Sequence, residues 1–155
     1  MIQTVHMVCG VPGSGKSWVC EQLTDKFKYI KHDDYIKPLR LKDDKMSEGD
    51  KDFIADIIKA AKGKKPVLID CPFGERDLRA KIQLVGLTVK PWFIVEKAEV
   101  VKSRYQSRTG RELPMSSVTR CETIMNRVAE WDAPHGPALA VLNALRREVG
   151  LEPTK

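Results

Sequence analysis

At 155 residues the chain is long enough to bury one sizeable core and too short for two. Its 27 lysines and arginines against 21 aspartates and glutamates leave a formal charge of +6, a balance that suits ATP, a nucleotide substrate or nucleic acid. Four cysteines without a C-x-x-C or Cys/His cluster, and an apolar N-terminal stretch too short to cross a bilayer, disfavour a zinc module, a disulfide scaffold and a membrane protein; free thiols and a cytoplasmic location are expected.

Residues 2–9 read as a buried strand that runs into the glycine-rich turn GVPGSGKSW, residues 10–18, and a helix over about 16–26. FKYIKHDD supplies a short second strand with Asp33 and Asp34 at its exit. From 35 to 49 the chain is charged, aperiodic and interrupted by Pro38, the pattern of a mobile excursion with room for one short helix. Phe53, Ile54, Ile57, Ile58 and Ala61 then recur on one face of a helix over about 48–62. PVLID is a third strand ending in Asp70, CPFG turns into a helix over about 75–85, and VKPWFIVE is a fourth strand with Trp92 and Phe93 as core residues. Helices are expected at about 98–108, 116–131 and 137–149, with TGRELP breaking the first from the second and WDAPHG read as a turn. Alternation of strand and helix requires right-handed crossovers, so the fold class is α/β: a mostly parallel sheet of four strands, a fifth left open, with helices on both faces and one domain over 1–155.

Gly10, Gly15, Lys16 and Ser17 fit G-x-x-x-x-G-K-[ST] without a mismatch, and the motif follows a strand and opens a helix, the context in which the pattern is specific. In such a cradle Gly10, Pro12, Gly13, Ser14 and Gly15 shape the turn so that backbone amides face the nucleotide phosphates, Lys16 reaches the β and γ phosphates, and the Ser17 hydroxyl holds Mg²⁺. ATP and Mg²⁺ are therefore the expected cofactors. A kinase also needs a group to orient and deprotonate an acceptor hydroxyl. Asp33 is the candidate base, with Asp34, Asp70 and His32 as candidate substrate contacts; Cys71 and Phe73 are expected in the acceptor pocket or core. Arg104 and Arg108 lie four apart on one helical face in SRYQSRTGRELP, and with Arg111 after Gly110 they form a candidate arginine lid over 103–114 that clamps phosphoryl oxygens and excludes water. No guanine-reading xKxD follows a later strand, which weakens a GTPase. His6 reads as a satisfied core histidine, Trp18 as a residue packed under the helices, Trp131 either as packed likewise or as exposed beside the WDAPHG turn, and the face from Arg120 to Arg127 either as a guide for nucleic acid or as solvated helix surface.

GVPGSGKSW, YIKHDDY, VLID and RYQSRTGRELP together resemble the kinase domain of bacteriophage polynucleotide kinases over residues 2 to about 130. The resemblance implies a P-loop kinase fold and transfer of the ATP γ-phosphate to a nucleic-acid hydroxyl, a 5′-hydroxyl end first of all, with DNA favoured over RNA. It makes Asp33 look like the general base, Arg104 and Arg108 like the lid arginines and Asp70 like the acid of the acceptor channel. Two departures touch the acceptor: Ile36 stands where the family has an arginine three positions after the catalytic aspartate, and His32 where it has one just before. A kinase for a hydroxymethylated base in DNA, or for a nucleoside, nucleotide or small metabolite, thus stays open. These residues leave no room for the phosphatase domain that accompanies the phage enzymes, so removal of a 3′-phosphate is not expected.

Overall fold

The computed structural model describes residues 2–41, 46–71 and 75–151. Five parallel strands, β1 (Val5–Cys9), β2 (Lys28–Ile30), β3 (Val67–Cys71), β4 (Val89–Ile94) and β5 (His135–Gly136), lie in the order β2-β3-β1-β4-β5. The helices are α1 (Lys16–Glu21), α2 (Asp33–Leu41), α3 (Met46–Ala61), α4 (Glu75–Leu84), α5 (Ala98–Thr109), α6 (Met115–Trp131) and α7 (Ala138–Glu148).

β1 is central and buried on both faces, and its side chains alternate as a pleated strand requires. Val5, Met7 and Cys9 join Val67, Ile69, Val89 and Phe93 in a core closed by Phe53 and Ile57 of α3, Ile82 of α4, and Ile124 and Val128 of α6. Val8, Leu68, Trp92 and Ile94 face the other way, onto Val19 and Cys20 of α1 and Val141, Leu142 and Leu145 of α7. Each fully buried leucine, isoleucine or phenylalanine of these two layers contributes about 1.5–3 kcal/mol, and that burial, repeated on both faces, holds the strand ends in place. The chain leaves β1 toward β2 but β3 toward β4, so the connections diverge between β1 and β3, and a crevice opens there beyond the strands' C-terminal ends. In register, Val8 pairs with Asp70 and Cys9 with Cys71, which sets Asp70 beside the start of the glycine-rich turn.

One open point is resolved and two expectations are corrected. A fifth strand exists: Phe93 N–H donates to the Pro134 carbonyl at 2.9 Å and Val95 N–H to that of Gly136 at 2.8 Å. Two residues, one of them glycine, carry no hydrophobic alternation, which is why WDAPHG reads as a turn. The stretch after Asp33 is helical through Leu41 despite Pro38, because α2 packs on α3, with Tyr35 5.4 Å from the Phe53 ring and its hydroxyl bonded to Asp56. Residues 42–45 of the expected excursion, and Phe73, lie outside the described residues. Finally, α1 is shorter than expected: over residues 22–27 turns replace it, with Phe27 N–H on the Leu23 carbonyl at 2.9 Å, so that Leu23 and Phe27 both reach the core before β2 begins.

Candidate functional site

The turn after β1 is clamped between two helices that come much later in the chain. Gly13 and Gly15 have φ of +87° and +105°, a region costly for any side chain. A Cβ on Gly13 would lie 3.1 Å from the Val101 carbonyl of α5, and one on Gly15 would lie 3.1 Å from Ala138 Cβ of α7. Gly10 and Ser14 are buried beneath the loop, and the Ser14 hydroxyl has no hydrogen-bond partner among the described residues. Lys16 is only 8% exposed, and its Nζ donates to the Val11 carbonyl at 3.0 Å. Burial lowers its pKa to about 8, with Asp70 the largest influence in the opposite direction.

Donors so arranged fit a polyphosphate: a buried cation held against a carbonyl, a backbone approach open only to glycine, and the start of α1 at the loop's exit. The metal fits only as part of that ligand. Among the described residues no group of three or more His, Cys, Asp or Glu could hold an ion alone, so Ser17 would share magnesium with phosphate oxygens.

A cleft of about 820 Å³ opens over the loop. Pro12, Gly13, Gly15, Lys16 and Ser17 form its floor, Arg104 and Arg108 one wall, and Lys31, His32, Asp33, Ile36 and Asp70 the other. The expected base, strand-end acid, lysine and lid arginines therefore meet in one cavity. Asp33 is half-buried as the first residue of α2, while Asp70 is 6% exposed and accepts the His32 backbone N–H at 3.1 Å. His32 Nε2 lies 2.9 Å from Asp50 Oδ1 and its ring 4.8 Å from that of Phe53, so α3 fixes the ring at the cleft's edge. Asp34 turns away: it is exposed and lines a second cleft of about 680 Å³ beside β2, with Lys31 common to both.

α5 is rooted on the loop by Val101 and Tyr105, which pack with Val11, Leu113 and Val118. Arg104 Nη1 donates to the Ser14 carbonyl at 3.2 Å and reaches Glu96 Oε1 at 3.4 Å; Arg108 lies over the Tyr105 ring, 5.7 Å from its centroid. Gly110, with φ +72°, ends α5, and Arg111 beyond it is exposed and does not line the cleft.

The face from Arg120 to Arg127 is not free solvated surface. Both guanidiniums bond the buried Glu75 carboxylate, and Arg127 also bonds Glu130 at 2.6 Å. Trp18 is 46% exposed at the cleft's rim and not packed under a helix, because the next two residues, Val19 and Cys20, take the inward face of α1. Trp131 does pack, 5.9 Å from Phe93 and beneath Arg79 and Arg127. His6 is the satisfied core histidine expected, its Nδ1 accepting from Trp92 Nε1 at 3.0 Å. No disulfide joins the four cysteines, and burial pushes the Cys71 thiol up to about 12, which suits a packing role. Sequence reasoning missed Glu96, Lys31, Asp50 and the exposure of Trp18. Glu96 stands near the C-terminal end of a strand as Asp33 and Asp70 do, and that shared placement was the available signal.

A phosphate loop between the central strand and α1, a switch-point crevice and an arginine-bearing helix packed over the loop define a P-loop kinase fold. The chain belongs to the AAA domain family, whose model matches residues 5–129. Three solved structures share the fold over nearly their whole length. A gluconokinase from Sinorhizobium meliloti 1021 is 24% identical, with a TM-score of 0.65 over 96% of this chain and 94% of that one. The tunicamycin resistance protein of Deinococcus radiodurans is 17% identical, with a TM-score of 0.69 over 99% of each chain. A sugar kinase from Janibacter sp. HTCC2649 is 17% identical, with a TM-score of 0.62 over 96% of each. No curated protein sequence matches the chain. No helix among the described residues is long and apolar enough to cross a membrane.

Proposed function

We propose that this protein is an ATP-dependent kinase that transfers the γ-phosphoryl group to a hydroxyl of a small-molecule acceptor. The observation that carries the reading is the single cleft in which Asp33 and Asp70 face Lys16, Ser17, Arg104 and Arg108. Magnesium-bound ATP supplies the transferable group. Loop amides and Lys16 hold its β and γ phosphates and draw charge toward the leaving oxygen. Asp33 orients the acceptor hydroxyl and takes its proton as the oxygen attacks in line. Asp70 braces that wall by binding the His32 amide and keeps negative charge beside Lys16. Arg104 and Arg108 stabilise charge on the phosphoryl oxygens and keep water from competing with the acceptor. A small acceptor is supported by the likeness to structures described as a gluconokinase and a sugar kinase.

Transfer to a 5′-hydroxyl end of nucleic acid, DNA ahead of RNA, is the second reading. It draws on Lys28, Lys31, Lys59, Lys64 and Lys65, which line the cleft beside β2 and would follow a phosphate backbone toward Asp33.

The deciding experiment incubates the protein with γ-labelled ATP, Mg²⁺ and separate acceptors: sugars and sugar acids, nucleosides, 5′-hydroxyl DNA and RNA, and hydroxymethylated DNA. Label on a small molecule, lost about 10²–10⁴-fold in Asp33→Asn while nucleotide affinity is retained, supports the first reading. Label on a polymer, with affinity falling steeply as salt rises, supports the second. Full transfer by Asp33→Asn refutes the assignment of the base in both.

A further inference from the structure

Glu96 lies two residues beyond the end of β4, in none of the motifs that mark the cleft, yet it joins three elements there. Its side chain is 12% exposed. One oxygen, Oε1, accepts the Ala138 N–H at the start of α7 at 3.2 Å and faces Arg104 Nη1 of α5 at 3.4 Å. The same Nη1 donates to the Ser14 carbonyl at 3.2 Å and stands 3.9 Å from where a Cβ on Gly15 would be. Glu96 thus sits directly behind a guanidinium that touches the phosphate loop's backbone.

A carboxylate so close to a polyphosphate site repels the ligand unless its charge is engaged. Here the positive end of α7 and the Arg104 guanidinium engage it. The α7 amide, fixed by the helix, holds the carboxylate in one place. The carboxylate in turn limits an arginine that is 46% exposed and otherwise free to sample many rotamers. We propose that Glu96 is a positioning residue that holds Arg104 over the phosphate loop in the geometry a bound nucleotide needs. The inference rests on the reading of Arg104 as a nucleotide contact and is independent of which acceptor is used.

The test is equilibrium binding of a fluorescent, non-hydrolysable ATP analogue with magnesium to the full chain and to E96A, E96Q, R104A and E96A/R104A. Thermal melts of the nucleotide-free proteins are taken in parallel. R104A is expected to weaken binding about tenfold and E96A about fivefold, with the double variant no weaker than R104A alone, because Glu96 acts through Arg104. E96Q keeps an oxygen that accepts both bonds, and its binding is expected within about twofold of the unmodified protein. Because E96Q preserves the α7 amide bond, it reports on binding even where E96A melts early. Losses that multiply in the double variant, unchanged binding by E96A, or E96Q as weak as E96A would each overturn the proposal. Unchanged binding by R104A would overturn it through the role of Arg104, and absence of phosphoryl transfer with these binding patterns intact would count against the proposed reaction alone.

Discussion

Replacing Lys16 by methionine is expected to make the nucleotide-free protein more stable while abolishing its response to ATP. Burial lowers the lysine from its ordinary 10.5 to about 8, and at about 1.36 kcal/mol per pH unit the charged form carries a cost of about 3 kcal/mol in the folded state. The unfolded chain holds this proton up to about pH 10.5 and the folded chain only to about pH 8, so between these values the unfolded state binds more protons and stability rises with pH. Below pH 8 the cost stands in full. Methionine has a similar length and no charge. The bond lost to the Val11 carbonyl is worth about 1 kcal/mol, and that carbonyl still accepts the Ser14 N–H at 3.1 Å. The net gain is about 2 kcal/mol, or about 4–8 °C in Tm for a chain of this size. Differential scanning fluorimetry at pH 7 with and without magnesium ATP measures both effects. At about a hundredfold excess over Kd, nucleotide adds about 2.7 kcal/mol to the unmodified protein and is expected to add nothing to Lys16→Met. The advantage of the variant should shrink as pH rises from 8 to 10.5. A variant that melts below the unmodified protein at pH 7, or keeps the full nucleotide shift, would refute the view of Lys16 as a strained cation awaiting phosphate.

Two further predictions concern the support of the cleft. Burial, helped by the nearby Lys90 charge, keeps His6 neutral, with its pKa lowered from 6.5 to about 4, so the unfolded chain takes up a proton first on acidification. Unfolding by urea should show about 2 kcal/mol less stability at pH 5 than at pH 7 from this group, and His6→Gln should flatten that dependence; an unchanged slope in the variant removes His6 as its source. Glu75→Ala removes the buried carboxylate that Arg120 and Arg127 share, leaving Arg127 its bond to Glu130, and is expected to cost about 2–4 kcal/mol by urea midpoint, below the usual range for buried pairs because each guanidinium keeps some solvent. A cost under about 0.5 kcal/mol would show that the network carries little stability.

Much of the site was legible because its logic is local. A strand followed by G-x-x-x-x-G-K-S places a phosphate cradle at one end of a parallel sheet, and the rule that ligands gather at strand ends picks out Asp33 and Asp70 from the chain alone. That rule selects Glu96 equally well, but its meaning depends on Arg104 and Ala138, which only the tertiary structure brings to it. Arg120 and Arg127 show the reverse: their spacing suits a charged surface, and the buried Glu75 partner lies 45 and 52 residues away. Pro38 argued against a helix by propensity, and packing of α2 on α3 outweighed it. β5 stayed open because backbone pairing to β4, and no side-chain pattern, defines it.

The seating of Ala138 against Gly15 bears on how the protein comes into being on the ribosome. Synthesis runs from the N-terminus, so the cradle's residues emerge first and its α7 wall last. Capacity for nucleotide should therefore appear only once α7 has emerged and docked, and a nascent chain ending at residue 129, where the family match stops, would carry the whole motif while missing the helix that backs it.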